Sequence, residues 1–190
     1  MKNRTSKLMQ TAIMAALCYV SFTFLQIKIP VPGGDATSIH IGNAFCVLAA
    51  LFLGGPYGGL AGAVGMTIAD LMDPIYLVYA PKTFILKFAI GLIAGFIGHK
   101  YANLSKSHDK KYIIKWSAIA SIVALAFNVV FDPLVGYFYK QYILGVPQSA
   151  AAILAKLSIV TTLINAIIST IIVVILYTAL KPVLEKAKLL

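Results

Sequence analysis

The sequence predicts an all-α integral membrane protein, a six-transmembrane-helix bundle with both termini in the cytoplasm. Three observations carry that expectation. Of 190 residues, 60% are hydrophobic and 12% charged, and the mean hydropathy is +0.89, values that belong to a bilayer protein rather than a soluble domain. The apolar residues fall into segments separated by short polar connections. Eleven of the sixteen basic residues cluster in residues 2–7, 100–115 and 181–188, the three stretches that such a topology leaves in the cytoplasm. Residues 1–190 are expected to form one membrane-embedded domain, because no room is left for a second.

The net charge of +10 does not point to nucleic acid. The lysines stand between apolar spans, not along a basic face with interleaved aromatics, so they read as topology signals of a chain whose surroundings are the lipid bilayer. Cys18 and Cys46 each lie in an apolar segment without a partner at metal-ligand spacing and read as two small buried thiols.

The first span covers residues 8–27. MKNRTSKLMQ precedes it, and no small-residue cleavage site follows it, so it reads as a retained span rather than a secretory signal. Within it Ala12 and Ala16, backed by Ala15, form a small-residue docking face. Residues 26–39 carry two prolines and the pair Gly33–Gly34, with Ile27, Ile29 and Val31 alternating. They are expected to form an outer loop or a short strand pair, placed as a lid.

Residues 41–54 are apolar but too few to cross hydrocarbon at the usual length. Gly54, Gly55 and Pro56 then break the helix before a glycine-striped segment, residues 57–72. A crossing hairpin of two short spans and a re-entrant hairpin both fit, and full crossings are preferred because re-entrant backbone needs protein or a cavity around it. Gly55, Gly58, Gly62, Gly65 and Ala69 keep to one helical face, where another helix can approach closely. Gly91, Gly95 and Gly98 repeat the signature in the fourth span, residues 82–98. The fifth span covers residues 113–137 and the sixth 151–180.

An ionisable side chain within a span needs a reason, since it costs about 2.5–3.5 kcal/mol on insertion scales. Lys82 and Lys87 enter the fourth span, with Lys87 read as snorkelling, as pairing with Asp70, or as touching a ligand. Asn128 and Asp132 are spaced i, i+4, which aims both at one spot, either for an interhelical hydrogen bond or for the polar edge of a small solute. Asn165 belongs to a polar stripe with Ser158, Thr162 and Ser169. His40 and Asn43 stand at the outer mouth of the second apolar segment. Tyr76 and Tyr79, at interfacial depth, are placed to stack on an aromatic ligand. These nine residues, His40, Asn43, Tyr76, Tyr79, Lys82, Lys87, Asn128, Asp132 and Asn165, make up the expected substrate site.

No enzyme is expected. GGPYGGLAGAVG lacks the Lys-Ser/Thr of a phosphate-cradling loop, and APKTF has Lys-Thr without the preceding glycines. Neither a metal nor a cofactor is called for.

With Ala12 and Ala16 in the first span, the stretches IHIGNAF, LFLGGPYGGLAGAVGMTIADLMDP and APKTFILKFAIGLIAG resemble the substrate-binding S components of energy-coupling factor (ECF) vitamin transporters. The likeness extends over nearly the whole chain and is closest to the pyridoxine or hydroxymethylpyrimidine branch of the riboflavin-type S components. It implies a membrane protein that captures a vitamin from outside and hands it inward by toppling, together with a transmembrane T component and two ABC-type ATPases that hydrolyse the ATP. It carries Ala12 and Ala16 into the T-component contact and makes residues 26–39 the gate. The alternatives are a stand-alone proton-coupled transporter, with Asp70, Asp73 or Asp132 carrying the proton, and a purely structural membrane subunit.

Overall fold

Six helices and one β-hairpin make up the structure, a computed structural model that describes residues 2–31 and 35–187. Pro32, Gly33 and Gly34 of the expected loop, and Lys188 of the basic tail, lie outside the described residues. Helix α1 spans Lys2–Phe24, α2 Gly42–Leu53, α3 Gly55–Leu71, α4 Ala80–Gly95, α5 Lys110–Phe138 and α6 Gln148–Lys186. Four of them, α1, α4 with its flanking turns, α5 and α6, are long and apolar enough to cross a membrane.

The first helix ends at Phe24 rather than continuing to residue 27 as expected, because the chain reverses there into strand β1, Gln26–Val31. This strand pairs antiparallel with β2, Asp35–His40, with Gln26 opposite His40 and Val31 opposite Asp35. The alternation of Ile27, Ile29 and Val31 is therefore that of a strand. The last two helices run longer than their expected spans. Helix α5 carries Pro133 inside it, which removes one ladder hydrogen bond just past Asp132.

At 12 residues, α2 rises only about 18 Å, less than the hydrocarbon thickness. Ten of its residues are buried, so it is sheathed by protein along its length. It meets α3 at Gly54, whose φ of 91° belongs to the left-handed region that glycine tolerates. His99, beyond α4, donates from Nε2 to the Leu51 carbonyl at 2.9 Å. The α2–α3 junction thus sits at the cytoplasmic end, in a depression it shares with Lys7, Lys100 and Lys181. Helix α2 runs from the hairpin to that end of the bundle and α3 returns from it.

The glycine stripe explains how α3 fits at the centre. A methyl group at Gly58 would fall 2.2 Å from the Ala50 Cα on α2, and one at Gly65 would fall 2.2 Å from the Ala15 carbonyl on α1. Gly55 departs from the expected stripe: with Gly59 it turns to α4, where Gly95 and Gly91 meet the two backbone to backbone. Cys18 and Cys46 are both buried and free, as expected. With lipid outside, such contacts supply the dispersion energy that apolar burial supplies in water.

A roofed polar cavity as the candidate binding site

At the outer end of the bundle the helices diverge around a cavity of about 120 Å³, and the hairpin lies across it. Strand β2 forms the roof, through Asp35 to Ser38 and His40. The starts of α2 and α4, the end of α3, the outer part of α5 and the first half of α6 form the walls. Ala36, Phe22, Pro133 and Leu154 supply apolar surface between the polar groups.

All nine residues expected at the substrate site line this one cavity. They do not all have free polar atoms. Asp132 accepts from Lys82 Nζ at 3.0 Å through Oδ1 and from Ser158 Oγ at 3.1 Å through Oδ2, so both of its oxygens are taken. Asn165 accepts the His40 backbone N–H through Oδ1 and donates from Nδ2 to the Ser38 carbonyl, both at 2.9 Å. It holds the roof to α6, assisted by the hydrogen bond between the hydroxyls of Thr37 and Thr161 at 2.7 Å.

Lys87 neither snorkels nor pairs with Asp70. It is 6% exposed, and its Nζ lies 3.4 Å from Asn128 Oδ1. Asn128 and Asp132, one helical turn apart on α5, thus take the two lysines of α4 separately.

His40 faces the cavity from the end of β2, 7% exposed, with Nδ1 accepting the Gly42 N–H at 3.2 Å. That bond fixes Nδ1 as the bare nitrogen and leaves the proton on Nε2. Burial first, and then the positive charge of Lys87, push the imidazole pKa down to about 3. The ring packs edge-on against Phe22, centroids 4.7 Å apart.

Three charged residues were not among those nine. Asp35 on β2 receives the Tyr79 hydroxyl at 2.8 Å and an ion pair from Lys140, beyond α5; Lys140 also donates to the Tyr79 oxygen at 2.6 Å. The signal for Lys140 was its rarity, since only five basic residues lie outside the three cytoplasmic clusters. Asp70, considered for pairing or proton coupling, also lines the cavity. Outside the cavity, Lys28 of β1 forms an ion pair with Asp73, which ties the hairpin to the α3–α4 connection.

On α1, Ala12 and Ala16 are exposed, whereas Ala15 is half-buried with its carbonyl turned to Gly65. The face available to a partner is that of Ala12 and Ala16.

The family model described as "ECF-type riboflavin transporter, S component" matches residues 2–182. A Pyrococcus woesei protein described as "Uncharacterized protein in gap 3'region" is 26% identical over 133 residues, covering 70% of this chain and 78% of that protein. No solved structure matches.

Proposed function

The chain belongs to the family of ECF-type riboflavin transporter S components, the vitamin-binding subunits of membrane transporters, and we propose that its own ligand is a single-ring vitamin, pyridoxine or a hydroxymethylpyrimidine. The carrying observation is the size of the roofed cavity, about 120 Å³. An engineered cavity of about 150 Å³ in another protein holds one benzene molecule. On that scale the space suits one substituted six-membered ring. The lining matches the same ligand: aromatic surface from Tyr76 and Tyr79, with amide, carboxylate and ammonium groups arranged around it.

In this reading the ligand arrives from outside, the hairpin closes over it, and Ala12 and Ala16 dock a T component that works with two ATPases. Their exposure on α1 leaves room for close helix contact. Native mass spectrometry of the gently purified chain, followed by denaturation to identify any small molecule carried along, tests the ligand. Recovery of pyridoxine or a pyrimidine is the expected result. A bound flavin would overturn the single-ring reading, and an empty chain that binds no member of a vitamin panel would overturn the binding role itself.

A further inference from the structure

The cavity wall contains three aspartates and three lysines. Two pairs neutralise one another, Asp132 with Lys82 and Asp35 with Lys140. The remaining two, Asp70 at the end of α3 and Lys87 on α4, form no ion pair with each other or with any other described residue. Asp70 is 2% exposed; Thr83 hydrogen-bonds its carboxylate, but Oδ2 has no partner among the described residues. Asn43 on α2 is 1% exposed, and its Oδ1 is likewise without a donor. Buried acceptors in this state are uncommon, because each has given up hydration for nothing. The Tyr76 hydroxyl, also without a partner in this wall, can donate as well as accept; Asp70 Oδ2 and Asn43 Oδ1 can only accept, and these two specify what an occupant has to bring.

We propose that Asp70, together with Asn43, forms the subsite for a hydrogen-bond-donating nitrogen of the ligand, an amino group or a protonated ring nitrogen, while Lys87 holds an acceptor edge of the same ring. The proposal rests on the reading of this cavity as the vitamin site and narrows its substrate to single-ring nitrogen heteroaromatics that carry such a donor. Asp132, with both oxygens occupied, then becomes a positioning residue that holds Lys82, and Asp70 is the carboxylate that touches the ligand. An occupant offering only carbonyl oxygens to this wall leaves both acceptors stranded and is rejected.

Isothermal titration of the full chain in detergent tests this with two matched pairs of probes. One is 4-amino-5-hydroxymethyl-2-methylpyrimidine and its analogue with hydrogen at position 4. The other is pyridoxine and its benzene counterpart without the ring nitrogen. For whichever pair binds, removal of the donor nitrogen is expected to weaken wild-type affinity about tenfold or more. Asp70→Asn is expected to weaken binding of the nitrogen-bearing probe by a similar factor and to leave the analogue nearly unaffected. Equal wild-type affinities within the pair would overturn the proposal without recourse to any variant, and so would parallel losses for both probes in Asp70→Asn. A chain that binds riboflavin and neither pair would overturn the single-ring reading as well, whereas pyridoxine or pyrimidine binding that is indifferent to Asp70 would sink the subsite alone.

Discussion

Asn165, midway along α6, is hydrogen-bonded through its side chain to the backbone N–H of His40, and the same amide donates to the Ser38 carbonyl. One side chain thereby pairs with strand β2 much as a neighbouring strand would. It satisfies two buried backbone groups that the hairpin cannot satisfy by itself. The roof is therefore attached to α6 by a residue that can let go without unfolding any helix.

Asn165→Leu is expected to loosen the roof and raise the ligand dissociation rate about tenfold or more, since two buried backbone groups lose their partners. Displacement of bound ligand followed by stopped flow reads the rate. An unchanged rate would mean that Thr37, Asp35 and Lys28 hold the hairpin unaided.

The pair formed by Lys82 and Asp132 gives a second expectation. Asp132→Ala leaves the largely buried lysine ammonium without its counter-ion and should cost about 3 kcal/mol of stability. The double change Lys82→Met, Asp132→Leu should recover most of that loss, because a buried ion pair replaced by apolar groups is often close to neutral. Thermal unfolding in detergent separates the cases. A double variant no more stable than Asp132→Ala would show that the loss does not come from a stranded charge.

Alanine at two glycines should act through different causes. At Gly91 the added methyl falls 2.3 Å from the Gly59 Cα, so α3 and α4 have to separate, and loss of the monodisperse purified protein is expected. At Gly54 nothing lies within 4 Å, and only the positive φ of 91° resists. A penalty of about 1–2 kcal/mol with normal assembly is expected there. Size-exclusion profiles and melting temperatures of the two variants, compared directly, test the ordering.

His40 sets a pH dependence. Its folded pKa, pushed down to about 3, lies below the unfolded value of about 6.5. As pH falls through 6.5 the unfolded chain takes up a proton that the folded chain refuses, so this group's share of stability declines from pH 6.5 down toward 3. His40→Asn preserves an acceptor for the Gly42 N–H and does not titrate. Its melting temperature should fall less steeply than that of the wild type between pH 6.5 and 4; identical slopes would count against the assignment.

Ala12→Leu with Ala16→Leu places bulk on the exposed face of α1. Ligand binding by the isolated chain should be preserved while co-purification with a T component and uptake by cells are lost. If binding falls in parallel, that face supports the fold rather than a partner.

The membrane made the site legible. In a chain that is 60% hydrophobic, a polar side chain within a span has few places to go, so His40, Asn43, Lys87, Asn128 and Asn165 announced a shared interior before any packing was known. The glycine spacing of α3 announced close helix contact for a similar reason. What stayed hidden was the matching of partners. Nothing local joins Asp35 to Lys140, which are 105 residues apart, or tells that Ser158 and Lys82 occupy both oxygens of Asp132 while Asp70 keeps Oδ2 without a donor. Those facts depend on how helices from distant parts of the chain are turned about their axes. The end of α1 was misjudged by three residues because strand-forming Ile27 and Ile29 are as apolar as the helix they follow.

The glycine contacts among α2, α3 and α4 have a consequence for directionality. Among the described residues the roofed cavity and the cytoplasmic depression share no lining residue, and Val47, Leu48 and Met66 of the intervening core are packed to 1% exposure or less. Backbones that already touch cannot be parted by a sliding side chain. The molecule has a doorway on one side and a wall on the other, a vessel rather than a tunnel. Under the proposed function, emptying it inward tips the vessel itself, and a partner that grips it from outside imposes the direction of travel.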